Sequence, residues 1–523
     1  MTDRSGFAEC GGKAGRWRFA AAVAACWLVL GLWITGQSLW LDEGMALSKS
    51  LQPTLKGFWE GFCGTRASDI QQPLYMFASW TWAKIAGRSE WGLRAQNWLW
   101  MALAFGFVAS RRRWNRRVRL LWCALAALSP FLAMYMDEAK GYIMHFAAGT
   151  LMFLPIAEAG DGRTGKFAFG TFSAGVLLTC GLALTGVVYA FWACLWLLVR
   201  LVRQKSLARF LSAHRGWLAA DAAALAVLGG WYVHTLLVGA RGTDLGPPSV
   251  ATVGFLAYEW FGFSGAGPAR LVMRVEGARA LRPFAVPLAL YAAANAFFAL
   301  EWWRTWRSLR RASAKGRSRR FRVPAHAVPL LLGLLGILSM HVVGVVDDMA
   351  VRARHVMPVF PAALFVAAVW ADRMLATRRA AARAAVAVLL AAMGISSLSI
   401  RFSGLHGKEN YRQAAAMAAE ALREGQCVWW AADANTASIY GMDAVPTGQT
   451  VLLLAPTPEK LASVPPPDVV FVNRPDTWDM KGHLARYISD HGLRQTDAFT
   501  GFRVFKPDGT RAGTGAAAPE DGP

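Results

Sequence analysis

Apolar and polar residues fall in long blocks along this chain. Windows of about twenty residues cross roughly 30 Å of hydrocarbon as a helix. Such windows are predominantly apolar near 17–36, 91–109, 119–135, 139–157, 167–183, 185–202, 217–239, 283–303, 324–346, 356–372 and 380–400. The pattern predicts a polytopic α-helical membrane protein with about eleven transmembrane helices. Two of the spans must be joined by almost nothing at "TCGLALTG" (179–186). The stretch "QQPLYMFASWTWAKIAG" (71–87) is apolar enough to lie on the membrane, with its Trp residues at the interface; a re-entrant or full span stays open there.

After residue 400 the pattern changes. Residues 411–425 read as an amphipathic helix, 426–432 and 467–473 as strands, 479–491 as a helix and 493–507 as a hairpin-like ending. The expected organisation is a membrane domain over 1–400, a small α/β soluble domain over 401–506 and a disordered tail over 507–523.

Composition agrees with the membrane assignment: hydrophobic residues make up 55% of the 523, charged residues 17%, and there are 24 Trp. The net charge of +23 would suit a nucleic-acid partner, but the basic residues sit in short clusters between apolar runs. That distribution belongs to a membrane protein, not to a nucleic-acid binder. The clusters at 111–119, 200–215, 304–322 and 372–383 all fall on the cytoplasmic side if the amino terminus does. Residues 37–90 and everything after 400 then lie outside, as expected of an integral plasma (bacterial inner) membrane protein with its working face away from the cytoplasm.

This topology brings two acidic pairs to one membrane face. Asp42 and Glu43 follow the first span in "LWLDEG" (39–44), and Asp137 and Glu138 sit in the turn "YMDEAKGY" (135–142). Acids at such places are either solvated helix ends, favoured at helix amino termini, or paired and functional groups. On the same face, "DDMAVRARH" (347–355) offers Arg352, Arg354 and His355, with Arg94 and Lys140 as further cations. Seven cysteines show no metal-ligand spacing, and no glycine-rich phosphate loop follows a strand.

The order "LWLDEG", then "QQPLYMFASWTWAKIAGRSEWGLR" (71–94), then "YMDEAKGYIMHFAAGTLMFL" (135–154) resembles the GT-C superfamily of membrane glycosyltransferases. More narrowly it is similar to the branch holding protein O-mannosyltransferases and lipid A aminoarabinose transferases. "RARHVMPVFPA" (352–362) and "KENYRQAAAMAAEAL" (408–422) extend the resemblance more weakly. Where relatives often carry His-Pro-Pro-Leu-Tyr, this chain has Gln71-Gln72-Pro73-Leu74-Tyr75, which puts any role of that imidazole, metal ligation included, in doubt.

The resemblance implies sugar transfer from a polyprenyl-phosphate donor to a hydroxyl or phosphate on an envelope glycan, lipid or protein, with inversion. It implies no cofactor, and a divalent metal has no support in the residues. Asp42 matches the family position proposed for the base or for orienting the acceptor, with Glu43, Asp137 and Glu138 as the other catalytic candidates. Arg354, Arg352, His355, Arg94 and Lys140 are the candidates for the donor phosphate, since cations stabilise its departing charge. Gln72, Tyr75 and Tyr142 are candidates for lining the substrate. The partners expected are the lipid-linked donor, the acceptor and membrane lipids, with no nucleic acid. A transporter or flippase for lipid-linked sugars, and a polysaccharide polymerase or ligase, remain the competing classes; a transporter would carry its charges in mid-span.

Overall fold

The computed structural model describes residues 13–64, 68–159, 168–238, 248–314, 324–445 and 448–508. By contacts the chain divides into two units, Met1–Thr35 with Ser50–His406, and Gly36–Lys49 with Gly407–Pro523.

The first unit is helical. Among the described residues seven helices are long and apolar enough to cross a membrane: Tyr142–Ala159, Gly186–Arg203, Arg215–Leu237, Arg270–Arg311, Ala325–Val346, Ala353–Ala376 and Ala380–Phe402. Tyr142–Ala159 is central, with 94% of its apolar window buried against 6% for Arg215–Leu237. Its packing depends on glycine. A Cβ at Gly149 would collide with the Pro358 carbonyl, and one at Gly175 of the next helix with the Met152 backbone. Close backbone approach of this kind is how helices associate in lipid, where apolar burial gives no net drive. The peripheral helices keep Leu and Val outward, including Val227, Leu237, Leu338 and Val346. The protein is an integral membrane protein.

The other apolar runs take different forms. The run at 119–135 is a pair of helices, Arg116–Ala127 and Pro130–Met136, bent by 58°. Pro130 lacks the N–H that would continue the first helix, and Ser129 caps the second by accepting from Leu132 N. The run at 17–36 forms Lys13–Gly31, that at 91–109 forms Glu90–Arg94 and Gln96–Ser110, and that at 167–183 forms the 14-residue Phe169–Leu182. Trp27 and Trp98 stack at 4.0 Å, and each indole donates to the other's carbonyl, tying Lys13–Gly31 to Gln96–Ser110. The tight joint at 179–186 exists: one helix ends at Leu182 and the next begins at Gly186. Pro73–Ala86, like Phe169–Leu182, has 14 residues, about 21 Å of helix, less than the roughly 30 Å of hydrocarbon. Between the spans ending at Leu237 and beginning at Arg270, the sequence pattern gave no element, yet a capped helix, Val250–Trp260, forms there. The end of the basic cluster, 315–322, lies outside the described residues.

The second unit is built on a five-stranded sheet of β1 (Cys427–Ala431), β2 (Gln449–Leu452), β3 (Val469–Asn473), β4 (Arg494–Phe499) and β5 (Phe502–Lys506), in the order β2-β1-β3-β5-β4. β1 pairs in parallel with β2 and β3; β5 is antiparallel to β3 and β4. Alternation along the strands sorts the core into two layers. Val428, Trp430, Phe471 and Val504 pack with Tyr411, Ala414 and Leu422 on one face, and Trp429, Val470, Leu461 and Leu484 pack on the other. The strands expected at 426–432 and 467–473 and the terminal hairpin appear as β1, β3 and β4–β5; β2 is an addition. The segment 36–49 also belongs here, with Leu41 of the helix Leu41–Ser50 in the same core layer as Tyr411 and Ala437. Of the tail expected to be disordered, 509–523 lies outside the described residues.

Candidate functional site

In the membrane unit the turn 135–142 gathers ion pairs from distant parts of the chain. Asp137 closes the Pro130–Met136 helix. Its Oδ1 accepts from Thr35 N at 2.6 Å and its Oδ2 from the Thr35 hydroxyl at 3.0 Å. Arg94, wholly buried, donates to the Thr35 carbonyl at 3.0 Å and stands 3.7 Å from Asp137. Glu138 meets Arg270 at 2.7 Å, and the same guanidinium binds Glu259 and lies 4.5 Å over the Tyr135 ring. Lys140 pairs with Asp69 at 2.9 Å.

The backbone of the turn is held as firmly as its charges. Asn97 Nδ2 donates to the carbonyls of Tyr135, Met136 and Glu138, and the Tyr75 hydroxyl donates to Ala139 O at 2.6 Å. Gly141 allows this: a Cβ there would press on the Tyr75 ring at 3.1 Å. Tyr75 is fully buried, a strut under the turn, whereas Gln72 and Tyr142 are half-buried. Low-dielectric surroundings strengthen each pair and make each costly to break.

Arg354 and His355 sit on the short helix Ala353–Val359, which Arg352 precedes as the capping residue and whose Pro358 abuts Gly149 of the central helix. Arg352 and Arg354 are half-buried. His355 turns back on its own segment, its Nδ1 accepting from Arg352 N at 3.2 Å, while its carbonyl accepts from the Tyr189 hydroxyl at 3.0 Å. His145, inside the central helix, has its Nε2 3.3 Å from the Thr179 carbonyl. Among the described residues, no group of three or more His, Cys, Asp and Glu could hold a metal ion.

In the sheet unit, Asp42 and Glu43 occupy the first turn of Leu41–Ser50, where the helix dipole favours acids. Glu43 is wholly buried: Oε2 accepts from Trp40 N at 3.3 Å and pairs with Lys408 at 3.2 Å. The reach back to Trp40 N is half of a capping box. Asp42 stays half-buried. Glu409 accepts from Leu41 N at 3.2 Å and lies 3.5 Å from Arg474. Burial alone would pull the Arg474 pKa down, but its hydrogen bond to Asp476 and the charges of Glu409, Asp476 and Asp42 hold it above the ordinary value.

The structure thus brings Asp137, Glu138, Arg94 and Lys140 into one cluster of the membrane unit, and gives Asp42 and Glu43 partners in the sheet unit. Sequence reasoning missed Thr35, Asn97, Glu259 and Arg270 in the first, and Lys408, Glu409 and Arg474 in the second. Thr35 and Asn97 lie inside apolar runs, and Lys408 and Glu409 open the helical stretch "KENYRQ"; none of these positions carries a local signal of its partner.

No protein-family model matches this sequence, and no curated protein matches it. In fold it is similar to ArnT from Cupriavidus metallidurans in the apo state, with a TM-score of 0.54 and 13% identity over 96% of this chain and 100% of that one. ArnT from the same organism bound to undecaprenyl phosphate gives 0.47 and 14% over 97% and 100%. The arabinofuranosyltransferase AftD from Mycobacteria gives 0.40 and 14% over 94% and 40%. The likeness to apo ArnT is one of fold.

Proposed function

We propose that this protein is a membrane glycosyltransferase that moves a sugar from a polyprenyl-phosphate donor to an acceptor on an envelope glycan, lipid or protein. The fold shared with ArnT supports the general activity, but a fold alone does not set a chemistry. The observation that carries the reading is the state of the first acidic pair. Glu43 is buried and committed to a cap and to Lys408, whereas Asp42 beside it is half-buried on the same rigid helical turn.

In the proposed reaction the acceptor hydroxyl oxygen attacks the anomeric carbon, the bond from that carbon to the lipid phosphate oxygen breaks, and polyprenyl phosphate leaves. Asp42 takes the hydroxyl proton, as a general base must lie within hydrogen-bond reach to do. A single displacement inverts the anomeric centre. An acceptor phosphate, already anionic, would need Asp42 only for orientation. Arg354 and Arg352 bind the donor phosphate, since a guanidinium fork matches phosphate oxygens, with His355 holding their turn. Arg94 and Lys140, committed to Asp137 and Asp69, fix the acidic turn. Gln72 and Tyr142 line the sugar.

We also propose that the chain crosses the bacterial inner membrane eleven times, the shorter and bent helices completing the seven long ones. Residues 37–90 and those after 400 then face outward. The test is sugar transfer by purified protein in lipid from a panel of polyprenyl-phosphate sugars. Transfer with inversion that is lost in Asp42→Asn is the expected result; no transfer from any donor in the panel, with undiminished lipid-linked sugar flipping, would move the assignment to transport.

A further inference from the structure

In open α/β sheets, ligands bind outside the carboxyl ends of parallel strands at the point where the strand order reverses. In the sheet unit that point lies between β1 and β3, because the chain leaves β1 for β2 on one side and returns to β3 on the other. The strand ends there are rich in buried polar groups. Asp433 follows β1 and caps the helix Ala434–Ile439; Asn473 ends β3 and Arg474 follows it. The Tyr411 hydroxyl links the two ends, donating to Asn473 Oδ1 at 3.0 Å and accepting from Asp433 N at 3.3 Å.

Arg474 has φ 47° and ψ 62°, the left-handed region that a residue with a Cβ seldom takes. Asp476 and Thr477 of the helix that follows grip its side chain: Nε donates to Asp476 Oδ1 at 3.0 Å, and Nη2 to Asp476 Oδ2 at 3.1 Å and to Thr477 Oγ1 at 2.9 Å. Its Nη1 faces Glu409, which in turn accepts from Leu41 N.

The segment 36–49 is recognised much as a peptide ligand is. Arg412 donates from Nη2 to Gly36 O at 2.6 Å and from its backbone N to Ser38 Oγ at 3.0 Å. The Tyr440 hydroxyl accepts from Leu39 N at 2.8 Å, and Lys408 N donates to Gln37 Oε1 at 3.0 Å. Leu41 fills the apolar layer, and Gly44 sits where a Cβ would strike Thr436. Backbone groups of Gly36, Leu39 and Leu41 meet the side chains of Arg412, Tyr440 and Glu409, and the Gln37 and Ser38 side chains meet backbone N–H groups of Lys408 and Arg412.

We propose that the ligand of this sheet domain is the chain's own Asp42 segment, and that Arg474, Glu409 and Lys408 are positioning residues that hold Asp42 for sugar transfer. The inference rests on the reading of Asp42 as the base. Glu409 fixes the backbone one residue before Asp42, Lys408 fixes the side chain one residue after it, and Arg474 orders Glu409 while adding positive charge near Asp42. A carboxylate misplaced by about 1 Å costs around 10²-fold in rate.

The experiment uses the full-length protein in lipid, with Arg474→Gln, Glu409→Gln and Arg474→Lys. Expected is a fall in kcat of about 10²-fold in the first two at nearly unchanged donor KM, with partial rescue in Arg474→Lys. Amide hydrogen exchange at Leu39 to Leu41 should rise by about tenfold or more in Arg474→Gln and Glu409→Gln, with β1 and β3 still protected. Parental kcat in both, or unchanged exchange at Leu39 to Leu41, would overturn the inference. An inactive parent would remove the proposed transfer reaction, while the exchange measurement would still decide whether these residues hold the segment.

Discussion

Lys140 and Asp69, 71 positions apart in sequence, meet Nζ to Oδ1 at 2.9 Å with side chains only 5% and 3% exposed. The pair ties the turn that carries Asp137 and Glu138 to the short helix Ser68–Gln71. Removing one member takes from the other buried charge its partner at 2.9 Å. Lys140→Met should therefore destabilise the membrane unit by about 3–5 kcal/mol. Lys140→Met combined with Asp69→Leu should cost clearly less than the two single changes added together. Thermal unfolding in lipid of the four proteins of this cycle checks it, and strict additivity would show that the two groups do not depend on each other.

Asp42→Asn keeps size and polarity but removes the charge and the basicity. Turnover should fall by about 10²–10⁴-fold while donor binding survives. Glu43→Gln should act differently: it weakens the cap on Trp40 N and the pair with Lys408, so loss of thermal stability should accompany any loss of rate. Single-turnover kinetics with donor titration separates the two. Parental turnover in Asp42→Asn would reject it as the base.

Arg354→Ala should raise the donor KM, because a truncated partner of a desolvated phosphate contact typically costs about 2–5 kcal/mol. Arg354→Lys keeps the charge, loses the two-pronged geometry, and should fall between. Donor titrations that leave both KM and kcat unchanged in Arg354→Ala would take this side chain out of the reaction.

Asp433 should make the sheet domain sensitive to pH. Burial raises its pKa above the ordinary carboxylate value, against the hydrogen bonds from Thr436 and Asn435 and the charge of Lys49, all of which lower it. A folded-state pKa above the unfolded one means that the fold holds the proton more tightly. The stabilising contribution is then complete below the unfolded value near 3.8 and is lost as pH rises through the folded value. Asn at this position still caps a helix and does not titrate. Asp433→Asn should thus gain stability relative to the parent as pH rises from 4 to about 7. Limited-proteolysis melting of the sheet domain across that range measures it, and a difference that does not vary with pH would exclude Asp433 as the titrating group.

What the sequence made legible followed from local rules. The central helix, the tight joint before Gly186 and the strands around Trp429 and Phe471 each announce themselves by unbroken apolar runs or by alternation. Asp137, Glu138, Arg94 and Lys140 were picked out by type and membrane side, without their partners. The partners were hidden because ion pairing follows tertiary distance alone. Arg270 reaches Glu138 across 132 positions, and Lys408 reaches Glu43 across 365. Neither leaves a spacing to read. Nor does an apolar count distinguish an unbroken helix from the Arg116–Met136 pair, where one proline redirects the chain.

The sheet unit is assembled from Gly36–Lys49 and from residues after Gly407, and this separation sets a clock on biosynthesis. Leu41 and Glu409 are 368 positions apart, so at about 5–20 residues per second a ribosome needs roughly 20–70 s to make the second after the first. Throughout that interval the Asp42 segment has emerged but has nothing to dock on. The acid is seated only after Glu409 and the strands that follow it have been made, so a chain terminated before them carries the Asp42 segment without the partners that would hold its proposed base.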